Sequence, residues 1–292
     1  MPQFKRNHEV PRSLIAKWRP TGQRGEPVWV FDIRRQKLYQ SRSIGHSPFK
    51  FAIIPNRYVV QLSHRRATEV ERWLQKGEDA VATLVRYLDL DISRFIGVQE
   101  AVPLLVGLVA LGFRSAHVLG VWDRQIRDPA IQRQMSRFPK TDDEVKKLVL
   151  ENLINVVDRY VRRLTPPRVE IVRGLSADLL LCDEPARVSD DDGGEIFVVL
   201  APRSIAYVRR GTRPEIVVND TPTSGPSLVN TLNGRTIAAA RRWVVARTRE
   251  QLEEHISHLT QLAVEERAAE EKLNASATGD GGKWWVIGEL EA

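Results

Sequence analysis

Apolar residues recur along the chain in two rhythms, and the change from one to the other divides it. In "ATEVERWLQKGEDAVATLVRYL" (67–88) Val70, Trp73, Leu74, Val81, Leu84, Val85 and Leu88 fall three or four residues apart, the spacing of one face of a long amphipathic helix. "AVPLLVGLVALGF" (101–113) is apolar almost throughout and predicts a buried helix over about 92–120. It is shorter than the roughly 18–20 residues of a membrane span and is interrupted by Pro103, Gly107 and Gly112, so no membrane partner is expected. "DPAIQRQMSRFPKTDDE" reads as a polar connector. Thr141 and Glu144 then have capping-box spacing and open a helix that runs to about Leu164, where Pro166 and Pro167 stop it.

Past Pro167 the rhythm shortens. "RVEIVRG", "DLLLCDEP", "EIFVVLAP", "SIAYVRRG" and "PEIVV" are β-branched runs closed by Gly, Pro or Asp, as strands of a sheet would be. "SDDDGGE" (189–195) is the loop between two of them. Helices over about 226–240 and 248–273 cover the sheet. Near the start, "GEPVWVFDIRRQKLYQ" (25–40) predicts a hairpin turning at "RRQK".

These elements define an α+β fold with a helical middle section and a mixed, mainly antiparallel C-terminal sheet. The expected organisation is one domain over 1–248, made of a basic hairpin section (1–66), a helical section (67–166) and a sheet section (167–248). An amphipathic helix (249–273) and a flexible tail (274–292) follow, and "WWVIGEL" in that tail is able to dock as a strand.

Charge adds what periodicity cannot. The 292 residues carry +7 overall, but residues 1–66 hold 14 Lys or Arg against only Glu9, Glu26 and Asp32, a net +11, so the rest sum to −4. A basic N-terminal third is the footprint of a surface that meets phosphates, in RNA or DNA, or else simply a solvated surface. Cys182 is the only cysteine, which excludes an internal disulfide and a cysteine zinc site and fits a reducing cytoplasm. The first ten residues have no apolar run behind their basic ones, which argues against a secretory signal.

Chemistry-bearing residues are sparse. His8 with Pro11 superficially resembles the opening of HNH nucleases, but Asn7 stands where the acid should be and no cysteine framework follows. His255 and His258, beside Glu254, share a helix face and suit either a metal or solvent, next to an apolar stripe of Leu252, Ile256, Leu259 and Ala263. Asp183 ends an apolar strand before Pro185, a position for a catalytic carboxylate or for a turn-capping one. Arg203 suits an anionic group or a turn, and Asn233 suits a ligand or a helix cap. No Gly-rich nucleotide loop, Gly-x-Ser-x-Gly elbow or His-Glu-x-x-His motif is present. The residues name no cofactor.

Taken in order, "NHEVPRSLIAKW", "VWVFDIRRQKLYQ", "ISRFIGVQEAVPLL", "LLLCDEPARV", "EIFVVLAPRSIAYV" and "LVNTLNGRTIAAARRWVVART" resemble the successive motifs of a large bacterial family, domain-of-unknown-function family 4238. The resemblance spans about residues 8–248 and picks out His8, Pro11, Asp32, Asp183, Pro185, Pro202, Arg203 and Asn233. It departs at Glu9, where the family favours an aromatic, and at Val199, where it favours Pro; neither departure is expected to touch a polar candidate. It implies a composite site of His8, Asp183, Arg203 and Asn233 and attaches no activity to it. In a nuclease-like hydrolase His8 would be the general acid or base, Asp183 its orienting partner or a metal ligand, and Arg203 the group that stabilises negative charge. The alternative is a non-enzymatic protein-interaction module in which these residues are structural and helix 249–273 is the partner surface.

Overall fold

The computed structural model describes residues 6–42, 49–55, 60–62, 65–67, 69–88, 93–135, 138–188, 194–220 and 226–276. Strand β1 (Arg6–His8) leads into a single-turn helix α1 (Arg12–Ile15) and a 3-10 turn at Ala16–Trp18, then the hairpin β2 (Pro27–Asp32) and β3 (Lys37–Arg42). Short strands β4 (Ile53–Pro55), β5 (Val60–Leu62) and β6 (Arg65–Ala67) precede helix α2 (Glu69–Tyr87) and strand β7 (Arg94–Phe95). Helices α3 (Val98–Phe113), α4 (Ala116–Arg127), α5 (Pro129–Gln132) and α6 (Asp142–Leu164) complete the helical section. Strands β8 (Pro167–Arg173), β9 (Leu181–Cys182), β10 (Ala186–Val188), β11 (Ile196–Ala201), β12 (Ser204–Arg210) and β13 (Glu215–Asp220) follow. Helix α7 (Pro226–Ala239), strand β14 (Trp243–Ala246) and helices α8 (Arg249–Glu253) and α9 (Ile256–Ser276) end the described chain.

The fold is α+β, as the rhythms predict. The largest sheet has the order β10-β11-β12-β8-β13-β7, antiparallel except for the parallel pair β8–β13. A second, four-stranded sheet has the order β3-β2-β14-β9, so the N-terminal hairpin pairs with strands from the far end of the chain. Strand β14 has no counterpart in the periodicity reading, because "WVVA" directly follows an Ala-rich helix. All four of its residues are buried, as befits a strand with neighbours on both sides and covered faces.

Leu74, Val81, Leu84, Val85 and Leu88 of the α2 stripe are buried against α3, whose residues from Leu104 to Leu111 are buried without a break. The two helices cross where glycines face each other. A Cβ on Gly107 would run into the carbonyl of Gly77 and lie 2.7 Å from Val81 Cγ2. Gly107→Ala is therefore expected to push the helices apart at a cost of about 1–3 kcal/mol, seen as a melting temperature several degrees lower in a thermal denaturation. The Thr141–Glu144 capping box is formed, with Glu144 N donating to Thr141 Oγ1 at 3.2 Å and Thr141 N donating to Glu144 Oε2 at 3.3 Å.

The expected single helix over 92–120 is instead two, α3 and α4, bent by 71°. The break falls at Arg114 and Ser115: Ser115 Oγ caps α4 by accepting from Val118 N at 3.1 Å, and Arg114 is buried. No single helix among the described residues is long and apolar enough to cross a membrane. The polar connector contains the short helix α5, started by Asp128 Oδ1, which accepts from Ala130 N at 2.7 Å.

The amphipathic segment at 248–273 is likewise two helices, broken at Glu254 and His255. Leu252, Leu259 and Ala263 pack on the four-stranded sheet with Phe31, Ile33 and Leu180, whereas Ile256 of the expected stripe is 38% exposed. That buried face is spent on the fold itself. Residues 189–193 of the "SDDDGGE" loop and the tail from 277 lie outside the described residues.

Candidate functional site: two polar clusters on one short segment

The apolar run Leu179–Cys182 is 0–1% exposed and carries Asp183 into the interior with it. Asp183 Oδ1 accepts the main-chain N–H groups of Arg241 at 3.0 Å and Arg242 at 3.2 Å, which fastens the turn between α7 and β14 beside β9. Its Oδ2 is buried and finds no hydrogen-bond partner among the described residues. Burial, reinforced by the neighbouring carboxylates of Glu9 and Glu184 and opposed by the two N–H groups, raises the Asp183 pKa to about 7.

Glu9 is the hub around that carboxyl. It is 1% exposed, accepts from Arg242 Nη1 at 2.5 Å through Oε2, and accepts from Ala116 N at 2.7 Å through Oε1. Arg114 Nε donates to the Glu9 carbonyl at 2.6 Å and its Nη1 reaches Glu78 Oε1 at 2.5 Å. Ser115 Oγ donates to Glu184 Oε1 at 2.7 Å. The break between α3 and α4 is thus built to bring Arg114, Ser115 and the first N–H of α4 to the N-terminal segment and to the end of β9.

A second cluster gathers at Asp178, five residues earlier. Its Oδ1 pairs with Arg203 Nε at 2.8 Å and its Oδ2 with Arg247 Nη1 at 3.4 Å. Its carbonyl accepts from Gln251 Nε2 at 2.7 Å and Asn233 Nδ2 at 3.3 Å, while Asn233 Oδ1 accepts from Leu180 N at 2.8 Å. Trp18 Nε1 donates to the Leu179 carbonyl at 2.8 Å. The main chain before β9 is not part of any helix or strand, and three side chains from elsewhere in the chain, Trp18, Asn233 and Gln251, hydrogen-bond to it.

Of the four residues implied by the family resemblance, the three whose side chains are described are distributed over two places. Arg203 and Asn233 meet each other through Asp178, and Asp183 lies at the other end of the same segment. The main chain of His8 pairs with Ile53, one residue before Glu9 turns toward Asp183, but the His8 side chain lies outside what the structure describes. Glu9, expected to touch no polar candidate, is the carboxylate nearest in effect to Asp183. Its signal in the sequence was an acid in an otherwise basic stretch, at a departure from the family pattern. Asp178 and Arg247 had no signal beyond a polar break between apolar runs.

Among the described residues no group of three His, Cys, Asp or Glu side chains is placed to hold a metal ion. Burial lowers the His255 pKa, as expected of a partly buried imidazole. Asp32, another motif position, accepts from Arg35 N at 3.0 Å and shapes the hairpin turn, in which Gln36 takes a left-handed φ of 49°. No family model, no curated protein and no solved structure matches the chain.

Proposed function

We propose that the chain is a nucleic-acid-directed binding protein of the bacterial cytoplasm, in which the motif residues Asp183 and Asn233 pin the interior, Arg203 holds Asp178 from the surface, and the contact is made by the basic N-terminal third. The observation that carries this reading is the presentation of that charge. Arg34, Arg35 and Lys37 at the β2–β3 turn are exposed, as are Arg24 and Arg42. Lys and Arg on an edge strand also discourage strand pairing between molecules, so charge on β3 alone has a second use. What supports the pinning half is that Asp183 and Asn233 are 1% and 4% exposed and give their oxygens to main-chain N–H groups, where no phosphodiester reaches them. The order of motifs supports placing the chain with family 4238, and a single buried Cys182 supports a reducing compartment.

The test is the salt dependence of binding to labelled RNA and DNA. Affinity is expected to fall steeply with salt, and replacing Arg34, Arg35 and Lys37 together by Ala is expected to reduce the log–log slope by roughly two to three. Binding that ignores salt, or a variant with an unchanged slope, refutes the reading.

A second reading, nuclease-like hydrolysis at a composite site, is favoured by one observation: a carboxyl with a pKa of about 7 exchanges a proton at neutral pH, as a general acid or base must. Total RNA and plasmid DNA incubated with the protein, with and without divalent metal, separate the two. Cleavage that disappears in both His8→Ala and Asp183→Asn, with neither variant less stable than wild type, establishes hydrolysis.

A further inference from the structure

The six-stranded sheet packs one face on α3 and α6. Ile196, Val198, Ala206, Val208, Val169 and Ile171 point into that core. The alternate residues lie on the other face, and their register makes two rows that cross the strands. The first row runs Arg187, Phe197, Tyr207, Glu170, Val217 from β10 to β13. The second runs Arg209, Arg168, Glu215, Phe95 from β12 to β7.

Isolated exposed rings are ordinary on a protein surface. Here three rings share two adjacent rows with arginines set between them. Tyr207 is 39% exposed and Phe95 57%, and the Phe197 and Tyr207 rings meet edge to face at 6.4 Å. The Arg213 guanidinium lies 3.6 Å from the centre of the Phe95 ring. Glu170 accepts from both Arg168 and Arg209 at 2.6 Å, and Glu215 accepts from Arg168 at 2.9 Å, so the guanidinium groups are held in fixed positions along the face.

We propose that this face is a platform for unpaired nucleic acid, a deepening that rests on the nucleic-acid reading above. Bases stack on the exposed Tyr207 ring and on the Phe95 ring together with the Arg213 guanidinium that lies over it. The strand's phosphates meet Arg187, Arg209 and Arg213. Glu170 and Glu215, which hold Arg168 and Arg209, also accept from the amino groups of bases. A duplex buries the faces of its bases between neighbours, so the rings select single strands, while the hairpin charges act on any phosphate chain.

The experiment is fluorescence anisotropy of the full chain with a labelled 20-nucleotide single strand and with a duplex of the same length. Tyr207→Ala with Phe95→Ala is expected to weaken single-strand binding at least 10-fold, to leave duplex binding unchanged, and to be reversed at position 207 by Tyr207→Phe. Arg209→Glu, a change at an exposed strand position, is expected to weaken the single strand as well and provides the reading if the ring variants do not fold. Single-strand affinity that follows the hairpin variant and ignores Tyr207, Phe95 and Arg209 overturns the platform and leaves the nucleic-acid reading standing. Wild-type protein that binds neither probe at low salt overturns both. Ring variants that change the oligomeric state and not the affinity show that the face joins copies of this chain, which also overturns the proposal.

Discussion

Glu9→Ala is expected to lower the unfolding free energy by roughly 3–5 kcal/mol, the range for breaking a buried ion pair from one side. The Glu9 side chain is fully buried and its two oxygens serve Arg242 and Ala116 N. Truncation leaves the main-chain N–H at the start of α4 without its acceptor and Arg242 without its counter-charge. Arg242 is 23% exposed and recovers part of its solvation, which holds the loss to the lower part of the range. A second offset comes from Asp183, because removing a neighbouring negative charge makes its ionised form less costly. Urea unfolding at pH 5 and pH 8 separates these contributions. The loss should be smaller at pH 8, where Asp183 is ionised and gains most from the missing Glu9 charge. A loss below about 1 kcal/mol at both pH values would mean that the hub is dispensable. A cycle with Arg242→Ala isolates the pair itself, since each single variant disturbs the same contact.

Glu9 also marks the limit of what the sequence discloses. Helix α6 was readable because everything that makes it is local: a Thr and a Glu three apart, an apolar stripe, two prolines at its end. The hairpin was readable for the same reason, down to its basic turn. The contact between Glu9 and Arg242 spans 233 positions, and no spacing rule connects them. Strand β14 is hidden likewise, since four apolar residues after a helix become a strand only when β2 and β9 arrive on either side. The helix break at Arg114 follows from a distant partner too, because its guanidinium reaches the Glu9 carbonyl 105 positions away.

The positions that the resemblance singles out are visible in the sequence, but those whose side chains are described do not gather at a single point. Asp183 and Asn233 are pins across the fold and not in local turns, reaching residues 58 and 53 positions away. That gives such residues a structural role that needs no substrate. An acceptor that completes the hydrogen bonds of an irregular buried segment has few substitutes.

Wild-type stability is expected to fall as pH rises from about 5 to 7, and Asp183→Asn to abolish that fall. The unfolded carboxyl titrates near 3.8 and the folded one near 7. Between those values the folded chain keeps a proton that the unfolded chain has released, so each step upward in pH favours unfolding. Three pH units at about 1.4 kcal/mol each set a ceiling of roughly 4 kcal/mol on the effect. The lowered pKa of Glu170, whose partners are Arg209 and Arg168, acts in the opposite sense but below pH 4.5, outside the window. His255 also opposes it: its folded pKa is lowered, so it adds stability as pH rises toward 6.5, and comparing two proteins that both retain it cancels the contribution. Asn at 183 keeps an oxygen for the N–H groups of Arg241 and Arg242 and carries no charge. The variant should therefore match wild type only below about pH 3.8 and exceed it by a few kcal/mol at pH 8. Asp183→Ala loses the acceptor as well and should be less stable than wild type at the acid end, by about 1–3 kcal/mol. A constant difference between wild type and Asp183→Asn from pH 5 to 8 would show that Asp183 does not titrate there, and would remove the one observation that favours hydrolysis. If the pH-dependent difference is found with no cleavage of RNA or DNA, the unpartnered oxygen of Asp183 is a strained element of an internal pin. The fold then keeps a carboxyl it would be more stable without, and the reason lies in whatever Glu9, Arg242 and Asp183 do together.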